Sequence, residues 1–217
     1  MTALNAQAHL LLAETAPQAR HQAAVALREG IARTSHLLAQ LLALARAEAA
    51  PAAPALEPLD AAALLRSRMA ALAPLARAKR IELSLNAPDG MPAAPLDREG
   101  LCSIIDNLVG NAITYTPAAG RVEATLRTAA PGDHGAAPLL ELLVQDNGPG
   151  IAAPLQGRVF ERFYRVPGND APGSGLGLAI VQRTARRMGA TVRVVPGLDG
   201  RGVGFSCTLP LAHAPAS

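Results

Sequence analysis

The sequence predicts an α+β fold: an α-helical hairpin followed by a sandwich of helices on a mixed β-sheet. Three observations lead there. Apolar residues in the first part of the chain recur at helical spacing, residues 50–58 are punctuated by proline, and short runs of period-two alternation beyond them are interleaved with helical stretches. At 217 residues the chain is long enough for one large domain, or one domain with a helical appendage. Its core needs neither disulfide nor metal.

Residues 2–49 read as the hairpin. In the first arm Leu4, Ala8, Leu11 and Thr15 follow 4-3-4 spacing. In the second, Leu27, Ile31, Thr34, Leu38, Leu41 and Ala45 continue it as an a/d seam. Ala16-Pro17 breaks the pattern between them, because proline cannot donate within a helix interior. Two such arms cannot bury their stripes alone. A four-helix homodimer would bury them, and a packed intramolecular hairpin is the alternative. Residues 50–58 (Ala-Pro-Ala-Ala-Pro-Ala-Leu-Glu-Pro) are predicted to be a linker, 59–211 a second domain and 212–217 a tail. Within that domain a helix is predicted over 60–78 and a strand over 80–85, where Arg-Ile-Glu-Leu-Ser-Leu alternates cleanly. A helix over 97–115 and strands over 120–128 and 138–146 follow. A glycine- and proline-rich stretch spans 147–175, and a helix over 176–188 precedes closing strands at 190–195 and 202–209.

Composition excludes several classes. With half the residues apolar and 17% charged, wholesale disorder is ruled out. The net charge of +3 comes from arginines scattered along the chain plus Lys79, the only lysine, so no basic run suits nucleic acid. Cys102 and Cys207 lie far apart among apolar neighbours and read as small buried hydrophobes of a reducing compartment. No apolar run reaches the roughly 18 residues that span a bilayer, and no signal peptide opens the chain. The expectation is a soluble, cytoplasmic polypeptide. Its aromatics are Tyr115, Phe160, Phe163, Tyr164 and Phe205, so each marks an informative position.

Four of those aromatics fall in segments that carry chemistry. Within residues 101–117, Asn107 and Asn111 share one helical face, which Tyr115 continues, while Leu101, Ile104, Ile105, Leu108 and Ala112 supply the buried face. A buried unpaired amide costs about 1–3 kcal/mol. The two carboxamides therefore need partners, either backbone groups or a hard cation already balanced by phosphates. Val144-Gln-Asp-Asn-Gly-Pro-Gly-Ile151 places Asp146 where a strand enters a tight glycine turn. There a carboxylate can accept a hydrogen bond from an exocyclic amine, although a plain hairpin turn also fits. Gly173-Ser-Gly-Leu-Gly-Leu-Ala-Ile-Val181 is a glycine-rich entry to a helix, suited to phosphate oxygens. A dinucleotide fingerprint is excluded by context, since a long loop and not a strand precedes it. Arg158-Val-Phe-Glu-Arg-Phe-Tyr-Arg165 reads as a short aromatic and arginine-rich helix. Phe160, Phe163 and Tyr164 would anchor it, and Arg162 or Arg165 could reach a phosphate.

The order of these segments, over residues 50–211, resembles the ATP-binding catalytic domain of bacterial two-component sensor histidine kinases. The closing Gly202-Val-Gly-Phe-Ser-Cys-Thr-Leu-Pro210 is similar to that family's final strand, and residues 2–49 resemble the remainder of its dimerisation and phosphotransfer domain. The resemblance implies a two-layer α/β sandwich of the histidine kinase/gyrase-type ATPase superfamily, with one lid-covered nucleotide pocket. It implies ATP and Mg2+ as ligands, with Asn111 on the magnesium and Asn107 beside the phosphates. Asp146 would bind the adenine amine, Gly148 and Gly150 would shape that wall, and Tyr115 would lie against the nucleotide. Residues 151–174 would be a mobile lid gripped by Phe160 and Phe163, with Arg162 available to the phosphates. Gly173, Gly175 and Gly177 would hold the phosphate chain, and Ile151, Ser174, Leu176, Leu178 and Thr208 complete the implied nucleotide-binding set. The implied partners are a second copy of the chain and a response regulator receiver domain. The implied parent protein is an inner-membrane sensor with this part in the cytoplasm.

Two departures matter. The family's phosphoacceptor motif, His-acidic-x-Arg-Thr-Pro, is absent. None of His9, His21, His36, His134 or His213 is followed by it. The resemblance aligns Thr2-Ala-Leu-Asn-Ala-Gln just after that motif, which implies a fragment, a truncated product or a misplaced start, and no self-phosphorylation by the chain alone. Thr114 stands where a Lys or Arg often supports the phosphates. Among alternatives, an ATP hydrolase of the superfamily would carry a glutamate near Asn107 to activate water, and an amide is a poor general base. A non-catalytic nucleotide-binding dimerisation module is the alternative from a different class.

Overall fold

The computed structural model describes residues 18–28, 30, 31, 34, 38, 55–129, 138–168, 171 and 173–211. The chain divides into two compact units, Met1–Ala45 and Arg46–Ser217. In the first, residues 18–28 are helical, and the Thr34 hydroxyl donates to Gly30 O at 2.9 Å. The predicted first arm over 2–15, and Leu41 and Ala45 of the second, lie outside the described residues.

The second unit runs β1 (Glu57–Leu59), α1 (Ala61–Ala78), β2 (Glu82–Asn86), β3 (Ala94–Leu96), α2 (Arg98–Tyr115), β4 (Arg121–Ala129), β5 (Leu139–Asp146), α3 (Gly177–Arg187), β6 (Thr191–Pro196) and β7 (Val203–Pro210). Helices α1 and α2 begin where side chains cap them. Asp60 accepts from Ala63 N at 2.8 Å and Asp97 from Gly100 N at 2.9 Å. α1 and α3 end in the same way, by paired hydrogen bonds that close on a left-handed residue. At α1 that residue is Arg80 (φ 57°), with Arg80 N on Arg77 O and Ile81 N on Ala76 O, both at 2.9 Å. At α3 it is Gly189 (φ 67°). This closure holds Arg80 and Ile81 in the turn, so β2 starts at Glu82 and not at residue 80 as the alternation predicted.

Five strands form the predicted mixed sheet in the order β2-β4-β5-β7-β6. β2 and β4 are parallel and the other pairs antiparallel. α2 lies in the crossover that the parallel pair requires. One sheet face presents Val122, Ala124, Leu126, Leu140, Leu142, Val144, Phe205, Cys207 and Leu209 to the core, joined there by Leu65, Leu101, Ile104, Ile105, Leu108 and Val181 of the helices. The other face is polar. There Ser206 Oγ donates to Glu141 at 2.6 Å and Arg127 pairs with the same carboxylate at 2.7 Å. The Ser206 hydroxyl, and after it Arg127, hold the Glu141 carboxyl below the ordinary range. Cys102 and Cys207 are free, and burial pushes the Cys207 thiol up to about 12.

The predicted linker needs correction at its end. Glu57–Leu59 is a strand pairing antiparallel with Ala94–Leu96. Both strands contain proline, which argues against a strand in sequence because it removes a ladder donor. The register sets Pro58 opposite Pro95, so the two missing donors coincide, and Leu59 and Leu96 are buried beneath. No described helix is long and apolar enough to cross a membrane.

Candidate functional site

β5 alternates half-buried and buried residues from Leu139 to Asp146. The phase that buries Leu140, Leu142 and Val144 therefore delivers Asp146 to the helix-covered side of the sheet. It is a carboxylate only 4% exposed. Gly148 N donates to its Oδ1 at 2.8 Å and Val203 N at 3.4 Å, which leaves Oδ2 for a ligand. Burial pushes the Asp146 carboxyl above the ordinary aspartate range, and the two backbone donors only partly oppose it.

Glycines let the surroundings close on this carboxylate. A Cβ on Gly148 would sit 3.0 Å from Asp146 Oδ1. One on Gly202 (φ 72°) would sit 2.1 Å from Asp146 O, and one on Gly197 2.3 Å from the same atom. Sequence reading assigned no role to Gly197, because its approach to Asp146 spans some fifty residues and has no local signature.

A cleft open to solvent at its mouth lies beside Asp146. Of the expected residues, Asn111, Tyr115, Asp146, Gly150, Ile151 and Leu178 line it. The Asn111 carboxamide stands on its wall with no hydrogen-bond partner among the described residues. Asn107, one turn earlier, is set back from the lining, and its Nδ2 donates to Ser103 O at 2.8 Å. The glycine-rich entry to α3 meets both amides: a Cβ on Gly177 would lie 3.1 Å from Asn107 Oδ1 and from Asn111 Nδ2. Likewise a Cβ on Gly173 would lie 3.0 Å from the Tyr115 hydroxyl. Gly175 is left-handed (φ 72°) and Leu176 N bonds Ser174 Oγ at 3.1 Å. α3 then starts with no side chain capping its first N–H groups, which leaves donors available to an anion.

Some expectations are corrected. Residues 158–165 do not form a helix. They make successive tight turns, with Arg158 N on Leu155 O, Glu161 N on Arg158 O and Tyr164 N on Glu161 O, and the run is broken at Phe163 by a left-handed backbone (φ 61°). Phe160 packs edge-on to Phe205, with ring centroids 6.2 Å apart. Phe163 does not pack inward: it is 64% exposed, and its N–H bonds Gly175 O at 3.0 Å. Tyr164, half-buried, does anchor the segment, lining the cleft with its hydroxyl buried and unbonded among the described residues. Arg165, and not Arg162, lines the cleft. Thr208 is outside the site altogether. It pairs with Glu141 in the sheet register, an odd number of residues from Asp146, so it sits on the opposite face, bonded to the Thr191 hydroxyl at 2.6 Å. The alternation of Phe205, Cys207 and Leu209 already carried that signal. Sequence reading missed Val159, Val166, Val203 and Phe205, which complete the apolar lining.

The family described as histidine kinase-, DNA gyrase B- and HSP90-like ATPase matches residues 96–213. The chain is 39% identical over 216 residues to the swarming motility regulation sensor protein RssA of Serratia marcescens, covering 99% of this chain and 44% of that protein. It is 34% identical to the sensor protein kinase PmrB of Pseudomonas aeruginosa, covering 100% of this chain and 44% of that one. Among solved structures it is similar to full-length ShkA in complex with AMPPNP, with a TM-score of 0.75 and 33% identity over 99% of this chain and 44% of that chain. The chain thus spans less than half the length of these relatives.

Proposed function

Because the chain belongs to the histidine kinase-, DNA gyrase B- and HSP90-like ATPase family, we propose that it is the Mg-ATP-binding core of a sensor histidine kinase, transferring the γ-phosphoryl of ATP to a histidine nitrogen for relay to an aspartate of a response regulator. One observation carries this reading: the buried Asp146 carboxylate, the unpartnered Asn111 carboxamide and the uncapped start of α3 converge on one cleft. Asp146 Oδ2 is suited to accept from the adenine amine while Oδ1 stays on Gly148 and Val203. Tyr115, Ile151 and Phe205 supply apolar walls for the base. The donors opening α3 suit phosphate oxygens. A neutral amide oxygen at Asn111 suits Mg2+, whose contribution when bound is to offset charge on the phosphates. Asn107 is bonded to its own helix and offers no base to activate water, which favours transfer over hydrolysis. In the transfer the bond from phosphorus to the β–γ bridging oxygen breaks as the bond to histidine nitrogen forms, with ADP leaving.

The test is labelling by γ-labelled ATP, with the 217-residue chain alone and with a separate helical acceptor domain bearing His-acidic-x-Arg-Thr-Pro. Acid-labile label is expected on the acceptor and none on the chain by itself, and Asn111→Ala is expected to lower transfer at least about 100-fold. Release of phosphate without transfer would replace this reading with the hydrolase. Nucleotide binding with neither would leave the non-catalytic module.

The same reading includes a homodimer through residues 2–49. Ile31 and Leu38 of the a/d seam are 51% and 58% exposed, apolar surface that a second copy would cover. Light scattering is expected to show a concentration-dependent mass that falls when both become Asp. A strict monomer at high concentration would favour the intramolecular hairpin.

A further inference from the structure

α2 carries the asparagine pair and Tyr115, yet no basic residue stands in its last turn to satisfy the carbonyls exposed there. Lys79 supplies the missing cation from another helix. The paired hydrogen bonds that end α1 fix its backbone, and its Nζ donates to the carbonyls of Ile113 at 2.9 Å, Thr114 at 2.8 Å and Thr116 at 2.8 Å. All three ammonium hydrogens are thereby used, so this group is not available to a phosphate. The ammonium sits on the carbonyl side of the very turn where Thr114 stands in for the expected basic residue.

That turn is also the seat of the Asp146 loop. A Cβ on Gly148 would lie 3.3 Å from Tyr115 O and 3.5 Å from Thr116 Cα, so the loop rests directly on the peptide between two of the carbonyls that Lys79 holds. Tyr115 lines the cleft itself. Burial lowers the Lys79 pKa, the mark of a charge partly taken from water.

Resting on the nucleotide-binding reading above, we propose that Lys79 is a positioning residue for adenine recognition, its ammonium locking the end of α2 so that Tyr115 and Gly148 stand at fixed places around the Asp146 carboxylate. Arginine cannot replace it, because a planar fork does not direct three N–H groups from one atom to three converging carbonyls. Loss of the ammonium frees the adenine wall and leaves the phosphate donors of α3 where they are.

The experiment is calorimetric titration of Mg-ADP, and separately of Mg-tripolyphosphate, into the wild-type chain, Lys79→Met, Lys79→Arg and Arg66→Met. Arg66, on α1, pairs among the described residues with the exposed Asp89 alone and serves as the control. Lys79→Met is expected to weaken Mg-ADP about ten-fold, as loss of a charge-assisted hydrogen-bond set implies. Mg-tripolyphosphate is expected to change by less than about two-fold on the same scale, Lys79→Arg to remain close to Lys79→Met, and Arg66→Met to match wild type. Unchanged Mg-ADP affinity in Lys79→Met, or equal loss for both ligands, overturns the positioning role while the cleft assignment stands. Failure of the wild type to bind Mg-ADP removes the cleft assignment and this inference together. Should Lys79→Met not fold, reductive methylation of the folded wild-type protein reaches the same group, since only Lys79 and the terminal amine react. Dimethylation keeps the charge, leaves one donor of three, and is expected to weaken Mg-ADP selectively; unaltered binding overturns the proposal.

Discussion

Replacing Asp146 with Asn is expected to cost about 10–100-fold in ADP affinity, the consequence of facing a buried donor with another donor, with no loss of fold stability. The amide oxygen can keep both bonds that Oδ1 now accepts, from Gly148 N and Val203 N. Its NH2 group then stands where Oδ2 would accept from the base. Stability moves the other way. Burial raises the Asp146 pKa, so the folded protein binds that proton more readily than the unfolded chain. The ionised group therefore costs stability at neutral pH, and this cost is relieved as pH falls through the raised value. Asn removes the cost, and its melting temperature is expected to be no lower than that of wild type. For the same reason wild-type ADP affinity is expected to begin falling at a higher pH than an ordinary aspartate would allow, as the acceptor becomes protonated, and that slope should vanish in Asp146→Asn. Calorimetry and thermal melts between pH 4.5 and pH 8, roughly the span in which a raised carboxylate titrates, check all three outcomes. An unchanged affinity for Asp146→Asn would remove Asp146 from the adenine site.

Gly202→Ala is expected to cost about 2–5 kcal/mol, combining a left-handed backbone with overpacking. Its φ is 72°, and the added Cβ would meet Asp146 O at 2.1 Å, Asp146 C at 2.7 Å and Asp146 Oδ1 at 2.7 Å. The first two are backbone atoms and cannot swing away. Gly200, in the same turn, separates the two causes. Its φ is 71° and a Cβ there meets nothing within 4 Å. Gly200→Ala is therefore expected to cost only the backbone preference, about 1–2 kcal/mol, and to bind ADP as wild type does. Gly202→Ala must also displace Asp146, so ADP affinity is expected to fall with stability. Urea denaturation of the two variants alongside ADP titration tests this, and equal losses would show that sterics at Asp146 do not matter.

Much of the fold was legible before any coordinates. The alternation in residues 120–128, 138–146 and 202–209 located three strands of the sheet to within a residue or two, because period-two burial is a local property of the chain. Helix α2 was legible for the same reason, its Leu101, Ile104, Ile105, Leu108 and Ala112 stripe being buried as spacing required. The β1–β3 ribbon was not. Its two prolines contradict every local strand signal, and only their mutual pairing makes the strands possible. Residues 158–165 were misread as a helix because aromatic and arginine content speaks to packing, whereas the turn geometry depends on Phe163 bonding Gly175, twelve residues on.

For the site, the sequence by itself determined which face each candidate would occupy. Strand parity turned Asp146 inward with Leu140, Leu142 and Val144, and helical spacing aligned Asn107, Asn111 and Tyr115. Parity likewise turned Thr208 away. What only the tertiary structure decided was which distant groups close around those faces: Gly197 and Gly202 against Asp146, Tyr164 on the cleft while Phe163 stays exposed, and Lys79 on carbonyls 34 to 37 residues away. The division has a physical origin. Side-chain direction follows from the backbone period of one element, whereas close approach depends on how separate elements pack, and packing leaves no periodic trace in the chain.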